Sequence, residues 1–121
     1  MNKPTIRLGD EMLEKAVMKI SELGQELAKW ESLYEKYSQE MKYERDLAFI
    51  DLMKNKMTAT ERSAIANTQP QVVRYIELMA EAKEKYIGLR HKIKSAELFC
   101  DLFRTQSANI RREKKFYQEL S

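Results

Sequence analysis

The residues of this chain that are capable of chemistry are few, and they lie far apart. The one histidine, His91, stands between Arg90 and Lys92, where positive charge opposes a bound metal cation. Glu40 and Glu44 are spaced one helical turn apart, but no Glu-x-x-His motif accompanies them. The serines have no histidine and acid arranged to activate one, and the three glycines form no phosphate-binding loop. The sequence therefore predicts a non-enzyme that uses no metal and no other cofactor.

Basic side chains are the second group that carries chemistry, and they are concentrated in the second half of the chain. Residues 83–115 contain ten bases and four acids, a net charge of +6, whereas residues 10–56 contain eleven acids and eight bases, a net charge of −3. A basic stripe on a helix neutralises phosphates and releases counterions, which gives salt-sensitive nucleic-acid binding. The same charges also complement a helix C-terminus, or pair with the acidic first half. All three interpretations stay open at this point.

Two apolar ladders define the elements that must position these bases. Steps that alternate between three and four residues keep one stripe of a helix facing a partner, which is the pattern of a coiled-coil seam. We therefore expect an all-α fold, a long antiparallel, coiled-coil-like helical hairpin. The ladders consist of Leu13, Ala16, Ile20, Leu23, Leu27, Trp30, Tyr34, Tyr37 and Met41, and of Val72, Tyr75, Met79, Ala82, Tyr86, Leu89, Ile93, Ala96, Cys100, Phe103, Ser107 and Ile110.

One helical domain is predicted, since the chain is short and contains few turn-forming residues. Residues 1–9 are predicted to form a flexible N-terminal arm, and residues 10–121 are predicted to form the domain. The predicted elements are a helix over 10–56, a connector with a short helix over 57–69, and a helix over 70–119.

Local signals set these boundaries. Asp10 is the expected N-cap of the first helix, and the run from Thr58 to Glu61 matches a capping box at the start of the short helix. Pro70 suits the first turn of the last helix, because proline is tolerated there. Gly24 indicates a bend or a close helix approach in the first helix.

With the turn near residue 64, the antiparallel pairing places Tyr37 near Arg90. The same pattern also fits two helices that open apart and join other chains. Two rods that touch along one seam bury little surface, so we expect a homo-oligomer. Further apolar residues widen the stripe: Val17, Leu47, Phe49, Ile50, Met53, Val73, Ile76, Ile87, Leu98, Phe99 and Phe116.

The sequence has no run of about 18 apolar residues, so no membrane span is predicted. Its first residues, MNKPTIRLGDEM, lack the apolar region of a secretory signal. Cys100 lies on the second ladder, and we interpret it as a small buried apolar residue in a reducing compartment. The predicted location is the cytoplasm.

The segment from Glu97 to Glu113, ELFCDLFRTQSANIRRE, carries a resemblance. It is similar to a pattern in small helical proteins encoded beside single-strand annealing or recombinase genes in tailed phages. By its architecture the chain resembles the UvsY-type recombination mediators over roughly residues 25–117. The positions that match the pattern are Arg104, Thr105, Ser107, Ala108, Arg111 and Glu113, with Glu40, Glu44, Ala48, Thr60, Glu61 and Arg62 upstream.

The resemblance implies a scaffold in the cytoplasm of a bacterial host. It would bind single-stranded DNA that is covered by a single-strand-binding protein and help to load a recombinase or an annealing protein. One departure is the sequence DLMKNKMTATER, which lacks the glycine of the basic segment in those mediators. The residues then expected to contact DNA are Arg104, Arg111, Arg112, Lys114 and Lys115, followed by Lys54, Lys56 and Arg62.

Other interpretations remain beside this one. Arg104 also has a structural interpretation, as an ion-pair partner of an acid on a neighbouring helix. The whole chain also fits a coiled-coil adaptor or inhibitor that binds only protein. A virion or assembly component is a third possibility, which the sequence does not favour.

Overall fold

The computed structural model describes residues 8–120, and their side chains from Asp10 onward. It consists of three helices, α1 (Leu8–Leu52), α2 (Ala59–Ala66) and α3 (Pro70–Leu120), and residues 8–120 include no strand. The two long helices pack against each other. The prediction of an all-α fold is therefore confirmed. Most of the predicted N-terminal arm over 1–9 lies outside the described residues.

Helix α1 begins before Asp10 and ends before Lys56, so both predicted ends are displaced. Asp10 lies inside the first turn rather than at the N-cap, where its carboxylate still complements the positive end of the helix dipole. The helix ends at Leu52, because the following residues form tight turns. The Asn55 N–H donates to the Leu52 carbonyl at 3.0 Å and the Met57 N–H donates to the Asn55 carbonyl at 2.9 Å.

The connector follows its sequence signals closely. Thr58 is the N-cap of α2, and its Oγ1 accepts a hydrogen bond from the Glu61 N–H at 3.2 Å. Pro70 is the first residue of α3, where the missing N–H costs nothing, and the Val73 N–H donates to the Gln69 carbonyl at 3.0 Å. The carbonyl of Ile65, near the end of α2, accepts from the Thr68 hydroxyl at 2.7 Å.

The chain forms two compact units, one made of residues 8–26 with 89–120 and the other of Leu27–Gly88. In the Leu27–Gly88 unit, α1 and α3 run antiparallel and meet through tyrosines. The rings of Tyr34 and Tyr86 lie edge to face with centroids 5.6 Å apart, and those of Tyr37 and Tyr75 lie 6.4 Å apart. The buried core of this unit consists of Ala66, Val72 and Ala82.

The register differs from the predicted one. A turn centred near residue 64 would place Tyr34 opposite residue 93, whereas its ring meets Tyr86, seven residues or about two turns earlier on α3. Likewise Tyr37, expected near Arg90, packs on Tyr75. The early end of α1 at Leu52 accounts for part of this shift, because it moves the middle of the connector towards the N-terminus.

The unit formed by residues 8–26 with 89–120 buries Leu23, Leu89 and Cys100. The prediction that Cys100 is a buried apolar residue is confirmed. Gly24 does not mark a close helix approach, since a Cβ added there meets nothing within 4 Å. Within residues 8–120, none of the helices contains a stretch apolar enough to cross a membrane.

Candidate nucleic-acid interface

Two of the predicted DNA-binding arginines line one cleft in the unit formed by residues 8–26 with 89–120. Arg104 and Arg111 are separated by two helical turns, so they lie on the same side of α3. The cleft has a volume of about 340 Å³ and is open to solvent. We call it the two-arginine cleft, and its lining residues are Asp10, Leu13, Phe103, Arg104, Ser107 and Arg111.

Local contacts hold both guanidinium groups only weakly. Nη1 of Arg104 lies 3.8 Å from Oδ1 of Asp101, in an ion pair whose side chains are both largely exposed. Asp101 lies one turn before Arg104 on α3 itself. The structural interpretation of Arg104 required an acid on a neighbouring helix instead. Nε of Arg111 donates to the carbonyl of Ser107 at 3.3 Å. An exposed pair contributes about 0–1 kcal/mol, so a phosphate can replace Asp101 at little cost.

The cleft combines charge with an apolar wall. Its lining carries two guanidinium groups and one carboxylate, that of Asp10, which leaves a net positive charge. Leu13 and Phe103 are half-buried and supply the apolar side. Guanidinium groups bind phosphate through directed hydrogen bonds, and an aromatic ring accepts a stacked base. This arrangement fits a nucleotide unit better than a lone anion.

Further bases follow on the next turns of α3. Lys115 lies one turn beyond Arg111 and extends the line of positive charge from Arg104. Arg112 and Lys114 are equally exposed but project from other sides of the helix. The line that the structure forms therefore consists of Arg104, Arg111 and Lys115.

The other three predicted residues belong to the Leu27–Gly88 unit. Lys54 pairs with Asp51 at 3.6 Å in an exposed contact, and Lys56 is exposed just before α2. Arg62 is half-buried, and its guanidinium carbon lies 5.4 Å from the centre of the Phe49 ring. Nε of Arg62 is shielded from solvent and has no hydrogen-bond partner within residues 8–120. The Arg62 side chain therefore packs against the Phe49 ring rather than standing free in solvent.

Sequence reasoning missed the apolar side of the two-arginine cleft. Leu13 and Phe103 are ladder residues, and ladder positions predict buried packing rather than a cleft wall. The sequence feature that could have indicated the cleft is Ser107, a small polar residue on an otherwise apolar ladder, between Arg104 and Arg111. Thr105, which belongs to the pattern of the resemblance, instead donates its hydroxyl hydrogen to the carbonyl of Asp101 at 2.9 Å.

Metal-binding chemistry finds no support in the part of the chain that the structure describes. No three His, Cys, Asp or Glu side chains there are grouped to hold a metal ion. His91 is exposed, between the exposed bases Arg90 and Lys92.

The fold and the cleft define a class of protein, an all-helical chain in which two long helices pack against each other and a cleft is lined by two arginines. The chain matches no family model, no curated protein and no solved structure.

Proposed function

We propose that this chain binds a single strand of DNA without catalysing a reaction, and that the two-arginine cleft is where the strand docks. The observation that carries the proposal is the presence of Arg104 and Arg111 in one open cleft with the ring of Phe103. Phosphates bind the guanidinium groups and Lys115, while a base packs on the apolar wall. A duplex has no free base for that wall, so single strands bind more tightly.

The wider role in the proposal comes from the resemblance to recombination mediators. The chain self-associates in the cytoplasm, of a bacterial host if a phage encodes it, and presents several basic clefts to one strand. Linked weak contacts then raise the avidity for DNA that a single-strand-binding protein covers. The single-stranded DNA is then transferred to a recombinase or an annealing protein. Arg112, Lys114, Lys54 and Lys56 supply additional charge in this scheme, whereas Arg62 packs on Phe49 and contributes to stability instead.

Fluorescence anisotropy with labelled single-stranded and double-stranded DNA at several salt concentrations tests the binding. Arg104→Gln/Arg111→Gln removes two positive charges from the cleft. Lys15→Gln/Lys19→Gln removes two exposed charges from α1 in the same unit, where Lys19 forms a similar exposed pair with Glu22 at 3.9 Å. Each lost contact to a single strand lowers the slope of log affinity against log salt by about 0.7, so we expect a decrease of roughly 1.4 for the arginine variant.

If the arginine and lysine variants lower DNA affinity and its salt slope equally, the two-arginine cleft is not the binding site. If the wild type binds no DNA at low salt, the chain is not a DNA-binding protein. Recombinase assembly on protein-covered single strands, followed with and without the chain, tests the mediator role separately. Acceleration by the wild type and none by Arg104→Gln/Arg111→Gln is the expected result.

A protein-only adaptor is the second candidate function. The observation in its favour is a row of exposed apolar residues on one face of α1, which consists of Tyr43, Leu47 and Ile50. Association through such a row responds little to salt, whereas phosphate binding weakens steeply, so the same titrations separate the two candidates.

A further inference from the structure

A second open pocket lies between α1 and α2 in the Leu27–Gly88 unit. Its volume is about 340 Å³, which is within the size range of small-molecule sites. None of the residues predicted to contact DNA lines this pocket. We call it the connector pocket, and its lining residues are Arg45, Asp46 and Phe49 of α1, Ser63 of α2 and Asn67 at the C-cap of α2.

The ring of Phe49 stands between two opposite charges on the α1 side of the pocket. At about 100° per residue, Phe49 lies about 40° from Arg45 and about 60° from Asp46 around the helix axis. Phe49 is half-buried, and the guanidinium carbon of Arg62 lies 5.4 Å from the centre of its ring. Because Arg62 is not a lining residue, this contact holds the ring in place and leaves the pocket open.

The polar side chains of the connector pocket are unpaired. Within residues 8–120, those of Arg45, Asp46, Ser63 and Asn67 form no ion pair and no hydrogen bond. Arg45 is half-buried, and Asp46 projects about 100° away from it around the helix. A partly desolvated guanidinium group without a partner gains from a ligand that supplies acceptor oxygens. The pocket therefore presents polar groups that a ligand can satisfy.

The order of these groups defines the ligand. It carries a negative group at the Arg45 end, N–H donors at the Asp46 end and a flat apolar surface between them. A nucleotide has this order, since its phosphate and the donor edge of its base lie on either side of a ring that stacks on an aromatic side chain. A free amino acid carries both of its charges on one carbon, so no ring separates them.

The carboxylate of Asp46 selects the base, because an ionised carboxylate only accepts hydrogen bonds. Guanine presents two N–H donors side by side, at N1 and N2, and a carboxylate accepts them with its two oxygens. Adenine and cytosine present one donor beside an acceptor on the same edge, and that acceptor repels the carboxylate. Ser63 and Asn67, one turn apart on α2 and its cap, supply donors for the guanine carbonyl oxygen.

We propose that the connector pocket binds a guanine nucleotide, with its phosphate on Arg45, its base on Phe49 and its donor edge on Asp46. The inference goes beyond the proposed function and does not rest on it, because the pocket uses neither Arg104 nor Arg111. The nucleotide comes either from the free pool or from a single strand, and both sources offer the same chemistry.

Titration of the full chain with deoxyguanosine 5′-monophosphate, followed through its backbone amide signals in NMR spectra, tests the inference. We expect the signals of the lining residues to move, and the nucleotide to bind about tenfold more tightly than deoxyguanosine. Arg45→Gln should bind both equally, because the phosphate contact is lost. Arg74→Gln removes an exposed charge of α3 in the same unit, outside the pocket, and is the matched control.

Deoxyinosine 5′-monophosphate, which lacks the N2 amino group, tests the contact with Asp46. The wild type should bind it about tenfold more weakly than the guanine nucleotide, since one of the paired donors is missing. Asp46→Asn should lose this preference. Asp46 is exposed and unpaired, and the amide spectrum of the variant shows whether its fold is unchanged.

Three results would each overturn the inference: amide shifts confined to residues outside the connector pocket, equal affinity for nucleotide and nucleoside, or no preference for guanine over hypoxanthine. A short single-stranded oligothymidine with one central deoxyguanosine separates the two sources. Shifts of the pocket amides with the oligomer identify the strand, and shifts with the mononucleotide alone identify the free nucleotide.

The variant Arg104→Gln/Arg111→Gln separates this inference from the proposed DNA binding. It should lose affinity for the oligomer through the two-arginine cleft and bind deoxyguanosine 5′-monophosphate as the wild type does. A wild type that binds single strands but no mononucleotide would overturn this inference alone. A wild type that binds the mononucleotide but no strand would overturn the proposed function alone.

Discussion

Tyr34 of α1 and Tyr86 of α3 meet edge to face, with ring centroids 5.6 Å apart and ring planes inclined at 82°. An aromatic pair in this geometry contributes about 0.5–1.5 kcal/mol beyond the burial of its surface. We therefore expect a double-mutant cycle of Tyr34→Leu and Tyr86→Leu to give a coupling of about 1 kcal/mol in urea unfolding. The control cycle pairs Tyr34→Leu with Tyr43→Leu on the exposed face of α1 and should give none. Zero coupling for the first cycle would contradict the contact.

The two ladders to which Tyr34 and Tyr86 belong were predictable because one stripe of each long helix must face the seam. From Leu13 to Met41 and from Val72 to Ser107 each ladder position is buried or half-buried, and Ile110 alone among the ladder residues is exposed. Which residue of the α1 stripe lies opposite which residue of the α3 stripe was not predictable from the sequence. The periodicity of both stripes repeats every seven residues, so a shift by one heptad satisfies it equally, and the turns after Leu52 account for part of the shift that the structure shows.

Gly24 and Gly88 each lie inside a long helix, and a Cβ added at either meets nothing within 4 Å. Alanine is more favourable than glycine in a helix interior by about 1 kcal/mol, so Gly24→Ala and Gly88→Ala should each raise the free energy of unfolding by up to that amount. Ala28→Gly, at an exposed position of α1, is the control and should lower it similarly. Destabilisation by either alanine would reveal a close approach at that glycine.

Thr58 holds the start of α2 through the hydrogen bond that its Oγ1 accepts from the Glu61 N–H at 3.2 Å. Thr58→Ala should lower the free energy of unfolding by about 1 kcal/mol, and Thr58→Asp should retain most of the stability. Thr60→Ala, inside the same short helix and equally exposed, is the control and should cost nothing. A similar loss from both alanine variants would show that capping is not the cause.

Arg62 packs over Phe49, so we expect it to act on stability more than on DNA affinity. Arg62→Ala loses the stacking contact and the aliphatic stem, a cost of about 1 kcal/mol. Arg62→Met keeps the packing and removes the Nε that lacks a partner within residues 8–120, so it should recover most of that loss. DNA affinity and its salt slope should be unchanged in Arg62→Met. A shallower slope would show that Arg62 contacts phosphate after all.

The charged part of the candidate site was predictable and its apolar part was not. Arg104 and Arg111 stand out in the sequence because bases are concentrated in residues 83–115. A ladder position, in contrast, predicts contact with the opposite helix and says nothing about how completely that contact closes. Ser107 is too small to fill the seam, which leaves Leu13 and Phe103 along an open cleft.

Phe103 is therefore the residue that separates a strand-binding cleft from a simple patch of charge. Phe103→Leu keeps an apolar side chain at the seam and removes the ring, so single-strand affinity should fall by about 1–3 kcal/mol, the usual contribution of one stacked base. The salt slope should not change, because no phosphate contact is lost. Urea unfolding of the same variant shows whether the fold is preserved, and duplex DNA is the control ligand. Equal losses for single strands and duplex would mean that no base stacks on Phe103, and that the cleft binds phosphate alone.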